Sequence, residues 1–296
     1  MDAAHAQWPV TTPRNAAEAA ALERLVALVR GRPTLVLSGA GLSTESGIPD
    51  YRGPDGARRA RSPISYQQFT RSEAARRRYG ARSFLGWPAM RSTRPNAGHR
   101  AVARLEAGRV VVGVLTQNVD GLHQVSGSRR VLELHGALGQ VRCLSCGGRE
   151  ARDALQRRLE RLNPAFAGGT AAMAPDGDAV LGPGREDAFR PAACRRCGGV
   201  LKPDVVFFGE NVPRGRLQRS WSMLEAAEVL LVLGSSLTVR SGYRYVAAAR
   251  TRGTPVAIVN DGVTRGDVDA SVRLGGRLGR VLPAVTDRLL GPRADG

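Results

Sequence analysis

The chain contains a single lysine, Lys202, so the other 43 of its 44 basic residues are arginine. Against 26 acidic residues this leaves a net charge of +18. Arginine in lysine's place almost everywhere, beside abundant alanine and glycine, reads as the composition of a G+C-rich genome rather than as a dedicated nucleic-acid surface, and a bacterial source is expected. The charge bears on association with acidic partners and not on fold. Long apolar runs are also missing. Residues 110–115 and 229–233 are short and bounded by polar or glycine residues, far below the roughly 20 apolar residues that a helix needs to cross a bilayer, so no membrane span is expected. The first residues lack the basic segment, apolar core and small-residue cleavage site of a secretory signal, and Asp2, Glu18 and Glu23 speak against an acid-poor transit peptide. A cytoplasmic location is expected. Only four cysteines occur, as the tight pairs Cys143/Cys146 and Cys194/Cys197, and in an intracellular chain such pairs bind metal more readily than they form disulfides.

What is present is ordinary globular composition, 42% apolar and 24% charged over 296 residues, enough for one large domain with a smaller one. The spacing of Leu22, Leu25, Val26 and Val29 predicts a helix over 17–30, stopped by Gly31 and Pro33. Residues 34–38 read as a buried strand running into Gly39-Ala40-Gly41, the strand–turn–helix order by which a parallel sheet receives a nucleotide. The stretch 53–98 is irregular and basic, with a helical piece near 71–85. Strands are predicted at 110–116 and 131–134, the first ending in Gln117-Asn118-Val119-Asp120 and the second in His135-Gly136. Beyond a helix at 151–162 and a Gly/Pro/Ala-rich loop at 165–193, strands at 205–208, 229–233 and 256–259 alternate with helices near 217–227, 243–251 and 281–290. The expected architecture is α/β: a Rossmann-like parallel sheet domain with a smaller zinc-ribbon plus helical module inserted. Its expected parts are a first nucleotide-domain segment at 1–56, a helical module at 57–100, a second segment at 101–139, a zinc module at 140–200 and a third segment at 201–296.

Two close glycines after a strand let backbone N–H groups and a helix N-terminus approach a diphosphate without Cβ clashes. Thr44 stands where a third small residue of the usual dinucleotide fingerprint would fall, and no second strand ending in an acid follows about 20 residues on. A hydride-transferring dehydrogenase is therefore disfavoured. The cysteine pairs, each a Cys-x-x-Cys followed by Gly-Gly and separated by 47 residues, have the knuckle pattern that lets four thiolates close a tetrahedral shell around one zinc, leaving no water position. Such a metal is structural.

The run from Gly39 to Arg52 resembles the sirtuin signature GAGxSxxSGIPDYR. The run from Thr116 to His123 resembles the family's TQNxDxLH, Glu133-Leu134-His135-Gly136 its histidine segment, Lys202-Pro203-Asp204-Val205-Val206-Phe207-Phe208-Gly209-Glu210 its substrate segment, and Gly234-Ser235-Ser236-Leu237 with Asn260 its adenosine end. The resemblance spans roughly 20–290. It implies a protein lysine deacylase that consumes NAD as co-substrate, with acylated lysines of proteins as partners. In that chemistry the acyl oxygen attacks C1′ of the nicotinamide ribose, nicotinamide leaves, and the alkylimidate, once the 2′-oxygen has attacked its carbon, is resolved by water into free lysine and 2′-O-acyl-ADP-ribose. By the same resemblance His135 would be the base, an imidazole suiting that task because its pKa lies near neutrality. Asn118 and Asp120 would hold ribose and nicotinamide amide, with Gln117 and Arg52 positioning ribose and phosphate. The remaining cofactor contacts it implies are Gly39, Ala40, Gly41, Ser43, Thr44, Asp50, Tyr51, Val119, Gly234, Ser235, Ser236, Asn260, Asp261, Gly262 and Leu278. Val206 and Phe208 would line the acyl-lysine tunnel, and Gly209 and Glu210 would belong to the wall of a groove where a peptide adds as a strand.

The run 77–88, the long insert between the cysteine pairs and the run 260–265 resemble the class II branch. Tyr79 and Arg82 fall in a Tyr-x-x-Arg pattern that sirtuins acting on acidic acyl chains use to bind a carboxylate. A carboxylated or longer acyl chain is weighed there against plain acetyl. Mono-ADP-ribosyl transfer or a lipoamidase-type activity on the same site is the alternative within this chemistry. A zinc-ribbon nucleic-acid binder is a remote one, because it leaves residues 39–52, Asn118, Asp120 and His135 unexplained. His5, His99 and His123 are given no catalytic role, and oligomeric state is left open.

Overall fold

A computed structural model describes residues 13–50, 63–166, 174, 176–179, 184 and 186–292. The first helix, α1 (Ala16–Val29), starts where the Asn15 side chain accepts the Glu18 N–H at 2.8 Å, and it buries the predicted Leu22, Leu25, Val26 and Val29 face. Strand β1 (Thr34–Ser38) is buried at every position, as befits a strand covered on both faces. It lies in a six-stranded sheet of order β3-β2-β1-β7-β8-β9, in which β2 is Val111–Thr116, β3 Val131–Glu133, β7 Val229–Leu233, β8 Val256–Asn260 and β9 Val272–Gly275. Every pairing in it is parallel. One face is covered by α1 with helices Ala97–Ala107 and Leu278–Leu290, the other by Arg214–Glu225 and Arg240–Thr251.

Because β1 pairs with β2 on one side and β7 on the other, the chain leaves in opposite directions at the β1/β7 boundary. A crevice opens there beyond the carboxyl ends of the strands. Backbone contact closes its floor: Gly39 N–H donates to Leu233 O at 2.9 Å and Gly41 N–H to Gly234 O at 2.8 Å.

The second sheet is antiparallel, order β5-β4-β6, with β4 Gly136–Cys143, β5 Arg149–Ala151 and β6 Leu201–Val205. Its core cluster joins Val141 to helices Glu73–Ser92 and Arg152–Leu162 through Ala81, Phe84, Leu85, Leu155 and Leu159. Leu201–Val205, expected to open the third nucleotide-domain segment, pairs here with β4 instead. Leu201-Lys202-Pro203-Asp204-Val205 carries no local signal for either sheet, because the choice is made by pairing with the distant β4. The helical piece of 71–85 is longer than its pattern, running Glu73–Ser92 through Pro88. The helix Ala97–Ala107, capped by Asn96, and the four-residue β9 carry no counterpart among the predicted elements. Among the described residues no helix is long and apolar enough to cross a membrane.

Candidate active site and metal centre

The loop after β1 is held against the loop after β7 so closely that only glycine fits. A Cβ on Gly39 would lie 2.8 Å from Gly234 O, one on Gly41 2.9 Å from the same atom, and Gly234 itself has φ +62°. Above this floor lies a cleft of about 1050 Å³. Gly39, Ala40, Gly41, Ser43, Thr44 and Asp50 form one wall. Gln117, Asn118, Val119 and Asp120 form the next. Gly234, Ser235 and Ser236, then Asn260, Asp261, Gly262 and Leu278, line the far side. All these predicted positions thus converge on one space, whereas Tyr51 and Arg52 lie outside the described residues.

The polar groups form a connected chain. Asn118 Nδ2 donates to Gly39 O and to Ser43 Oγ, both at 3.0 Å, and Ser43 Oγ donates onward to Asp120 Oδ2 at 2.7 Å. Asp120 Oδ1 accepts the Leu122 N–H at 2.9 Å. Burial nevertheless raises the Asp120 carboxyl above its ordinary value. Gln117 Nε2 donates to Ser235 Oγ at 2.9 Å, stitching the β2 loop to the β7 loop.

His135 sits between β3 and β4, where the chain passes from the large sheet to the small one. Its Nδ1 is 3.0 Å from Gln117 O and its Nε2 is 2.8 Å from Ser241 Oγ. A carbonyl can only accept, so this pairing assigns the ring proton to Nδ1 and leaves Nε2 accepting from the serine hydroxyl. Burial lowers the His135 pKa below its usual 6.5, with the Gln117 carbonyl acting in the opposite direction. The ring lines the cleft as a neutral imidazole, a state from which it can take up a proton. Ser241 belongs to no recognised motif, and only the fold brings it across 106 residues.

The segment after β6 closes the cleft. Val206, Phe208, Gly209 and Glu210 line it, Val206 N–H donates to His135 O at 2.7 Å, and Phe208 is 51% exposed. Glu210 is fixed from behind: it accepts the Phe207 N–H at 2.9 Å and pairs with Lys202 Nζ at 3.0 Å. Tyr79 also lines the cleft, edge-on to Phe69 at 5.5 Å. Arg82 is not among the lining residues; it is buried, donates from Nε to Ala179 O at 3.1 Å and lies 3.5 Å from Asp176.

Cys143, Cys146, Cys194 and Cys197 place their sulfurs within 4.8 Å of one another, with Cys143–Cys197 at 3.5 Å and Cys146–Cys194 at 3.8 Å. A tetrahedron with zinc–sulfur bonds of about 2.3 Å has edges of about 3.8 Å, so the sulfurs fit one zinc. Backbone N–H groups assist: that of Cys146 leads in bringing the Cys143 thiol down to about 6, and that of Arg196 leads in lowering Cys194, whereas Cys197, despite the Gly199 N–H, is pushed up to about 12 by the Cys146 and Cys143 sulfurs, a crowding of charge that a bound cation relieves. Four thiolates complete the shell, so the fitted ion is structural and ties β4 to the Cys194–Cys197 knuckle.

The Sir2 family model matches residues 39–241. NAD-dependent protein deacetylase 1 of Streptomyces coelicolor is 54% identical over 261 residues, covering 88% of this chain and 87% of its own. The protein of the same name from Mycobacterium avium is 50% identical over 270 residues, covering 90% and 94%. Among solved structures, a complex of a Sir2 homologue with NAD superposes with a TM-score of 0.70 at 30% identity, covering 90% of this chain and 93% of that one. A Sir2–p53 peptide–NAD+ structure does so with 0.70 at 27% identity, covering 90% and 97%.

Proposed function

The chain belongs to the Sir2 family, and from that premise we propose that it is an NAD-dependent protein lysine deacylase, releasing nicotinamide and 2′-O-acyl-ADP-ribose. The observation that carries this reading is the meeting of His135, held between Gln117 O and Ser241 Oγ, with the Asn118–Ser43–Asp120 chain at one cleft. The cleft volume of about 1050 Å³ slightly exceeds the roughly 300–1,000 Å³ of small-molecule sites, which suits a dinucleotide together with an acyl-lysine side chain. Close backbone approach at Gly39, Gly41 and Gly234 suits a diphosphate.

In this reading NAD supplies a glycosidic carbon with nicotinamide as leaving group. Asn118 and Asp120 hold the ribose and the amide, so that the acyl oxygen meets that carbon at short range, a positioning contribution of the kind that dominates such reactions. His135 Nε2, accepting from Ser241 at rest, takes the proton of the ribose hydroxyl and holds it while the 2′-oxygen is acylated. The Val206–Glu210 segment receives the peptide as an added strand. The zinc holds the small module together and takes no part in bond making. The run 77–88 and the insert between the cysteine pairs extend the reading to the class II branch, and a cytoplasmic bacterial enzyme is its setting.

Incubating the protein and His135→Ala with NAD and an acetyl-lysine peptide tests this. Nicotinamide and acyl-ADP-ribose should form with the wild type, and at least about 100-fold more slowly with the variant, the range of a lost general base. ADP-ribose appearing on protein, with no deacylated peptide, would replace this reading by transferase activity.

A further inference from the structure

Apolar side chains line the end of the cleft away from the glycine floor: Ile48, Met90, Leu138, Val205 and Phe207 belong to one cluster and all face the cavity. Two acids close that end, Asp176 and Asp178. They arrive on the insert between the cysteine pairs, which packs tightly on helix Glu73–Ser92: a Cβ on Gly86 would lie 2.2 Å from Gly177 O, and one on Gly177 2.6 Å from Met90 Cε. Ala179 N–H donates to Arg82 O at 2.9 Å, and Arg82 returns its Nε to Ala179 O. The short turn is therefore built in place.

This arrangement inverts the charge that the Tyr79/Arg82 spacing suggests. Arg82, the cation needed for a carboxylate, is turned onto Asp176 at 3.5 Å and does not line the cleft. The arginines that do line it among the described residues, Arg244 and Arg277, belong to the nucleotide side, on the helix after β7 and at the start of the last helix. Asp178 is 3% exposed, and its carboxyl makes no hydrogen bond among the described residues. Burial, with Asp176 beside it, pushes that carboxyl well above its ordinary value, and burial does the same to the Tyr79 hydroxyl. The same burial and the same neighbouring acid would bear on any further carboxylate placed there.

We propose that Asp178, with Tyr79, forms the wall against which the acyl chain ends, and that it makes this enzyme select uncharged acyl chains and reject those ending in a carboxylate. The proposal rests on the deacylase reading above. A carboxylated chain would bring a further carboxyl against Asp176 and Asp178, and among the described residues the buried cations near Asp178 are already engaged, Arg82 by Asp176 and Arg152 by Gln156 and the Ser83 carbonyl; like charges in a shared apolar site cannot all ionise. An uncharged chain buries its methylenes on Met90, Leu138 and Phe207, and a terminal hydroxyl can pair with the Asp178 carboxyl in either of its protonation states.

The test is nicotinamide release from one peptide carrying acetyl-, butyryl-, 3-hydroxybutyryl- or succinyl-lysine, with the wild type and with Asp178→Asn and Asp178→Ser, each checked for folding by circular dichroism and for zinc content. The wild type should turn over butyryl and 3-hydroxybutyryl peptides at least tenfold faster, by kcat/KM, than the succinyl peptide. In both variants the succinyl-to-butyryl ratio should rise about tenfold. Faster succinyl than butyryl turnover by the wild type overturns the proposal, and so does a ratio unmoved in folded variants. No release from any peptide sinks the deacylase reading itself, a different outcome from an altered ranking.

Discussion

Ser38 Oγ lies 2.8 Å from His123 Nε2, and it passes its own proton to Thr116 Oγ1 at 2.8 Å. Thr116 Oγ1 in turn accepts the Asn118 N–H at 3.1 Å. The last residue of β1 thus couples a buried histidine to the loop that carries Asn118. Ser38→Ala would leave the His123 N–H unpaired in a site with no water access, a loss of about 1–3 kcal/mol. Urea unfolding should register that loss, and the KM for NAD should rise while zinc content stays at that of the wild type. Unchanged stability and KM would show the coupling to be idle.

Behind that pair, His99 and His123 meet edge to face with ring centroids 5.2 Å apart, and burial lowers their pKa values to about 3 and about 4. Both stay neutral in the fold while the unfolded chain charges below pH 6.5, so their contribution is full above pH 6.5 and is lost as pH falls towards those values. Asp120 and Asp178, whose pKa values are raised, act with the opposite sign. The difference between proteins therefore isolates the histidine. Between pH 6 and 4, His99→Gln should lose stability less steeply than the wild type by about 1.4 kcal/mol per pH unit, one proton's worth. Parallel stability curves would contradict this.

Ser241 donates to His135 Nε2 and so favours the neutral ring. Ser241→Ala removes that bond, and the acidic limb of the kcat/KM profile is expected to move to higher pH, with the wild-type limb below 6.5 as burial dictates. A limb that stays in place would mean that the serine does not bear on the ring in the free enzyme.

Gly234 combines φ +62° with a Cβ position 2.4 Å from Leu42 N. Gly234→Ala should cost more than about 1 kcal/mol through backbone strain alone, and the shifted loop should weaken NAD binding. Calorimetric titration and thermal unfolding check the two effects. A variant as stable and as tight-binding as the wild type would rule out the close-approach explanation.

Elemental analysis should find one zinc per chain, falling below a tenth in Cys194→Ser. Hydrogen exchange should then show β4 and β6 losing protection while β1 and β7 keep theirs, because the thiolate cluster joins strands only of the small sheet. Loss of protection across both sheets together would show that they unfold as one unit.

The sequence by itself determined the elements whose signal is local. The apolar spacing of Leu22 to Val29, the fully apolar β7, the glycines at 39 and 41 and the two cysteine knuckles each carry their physics within a few residues. The long runs around Gly39, Asn118 and His135 marked the family and the cleft walls. Tertiary structure alone decided what depends on groups far apart in the chain. It brought Ser241 to His135, gave Leu201–Val205 to the small sheet, and turned Arg82 onto Asp176 while setting Asp178 in the cleft. A Tyr-x-x-Arg spacing says that two side chains share a helix face, but the charge they present depends on which distant carboxylate is packed beside them. That choice is made by burial, which no local pattern encodes.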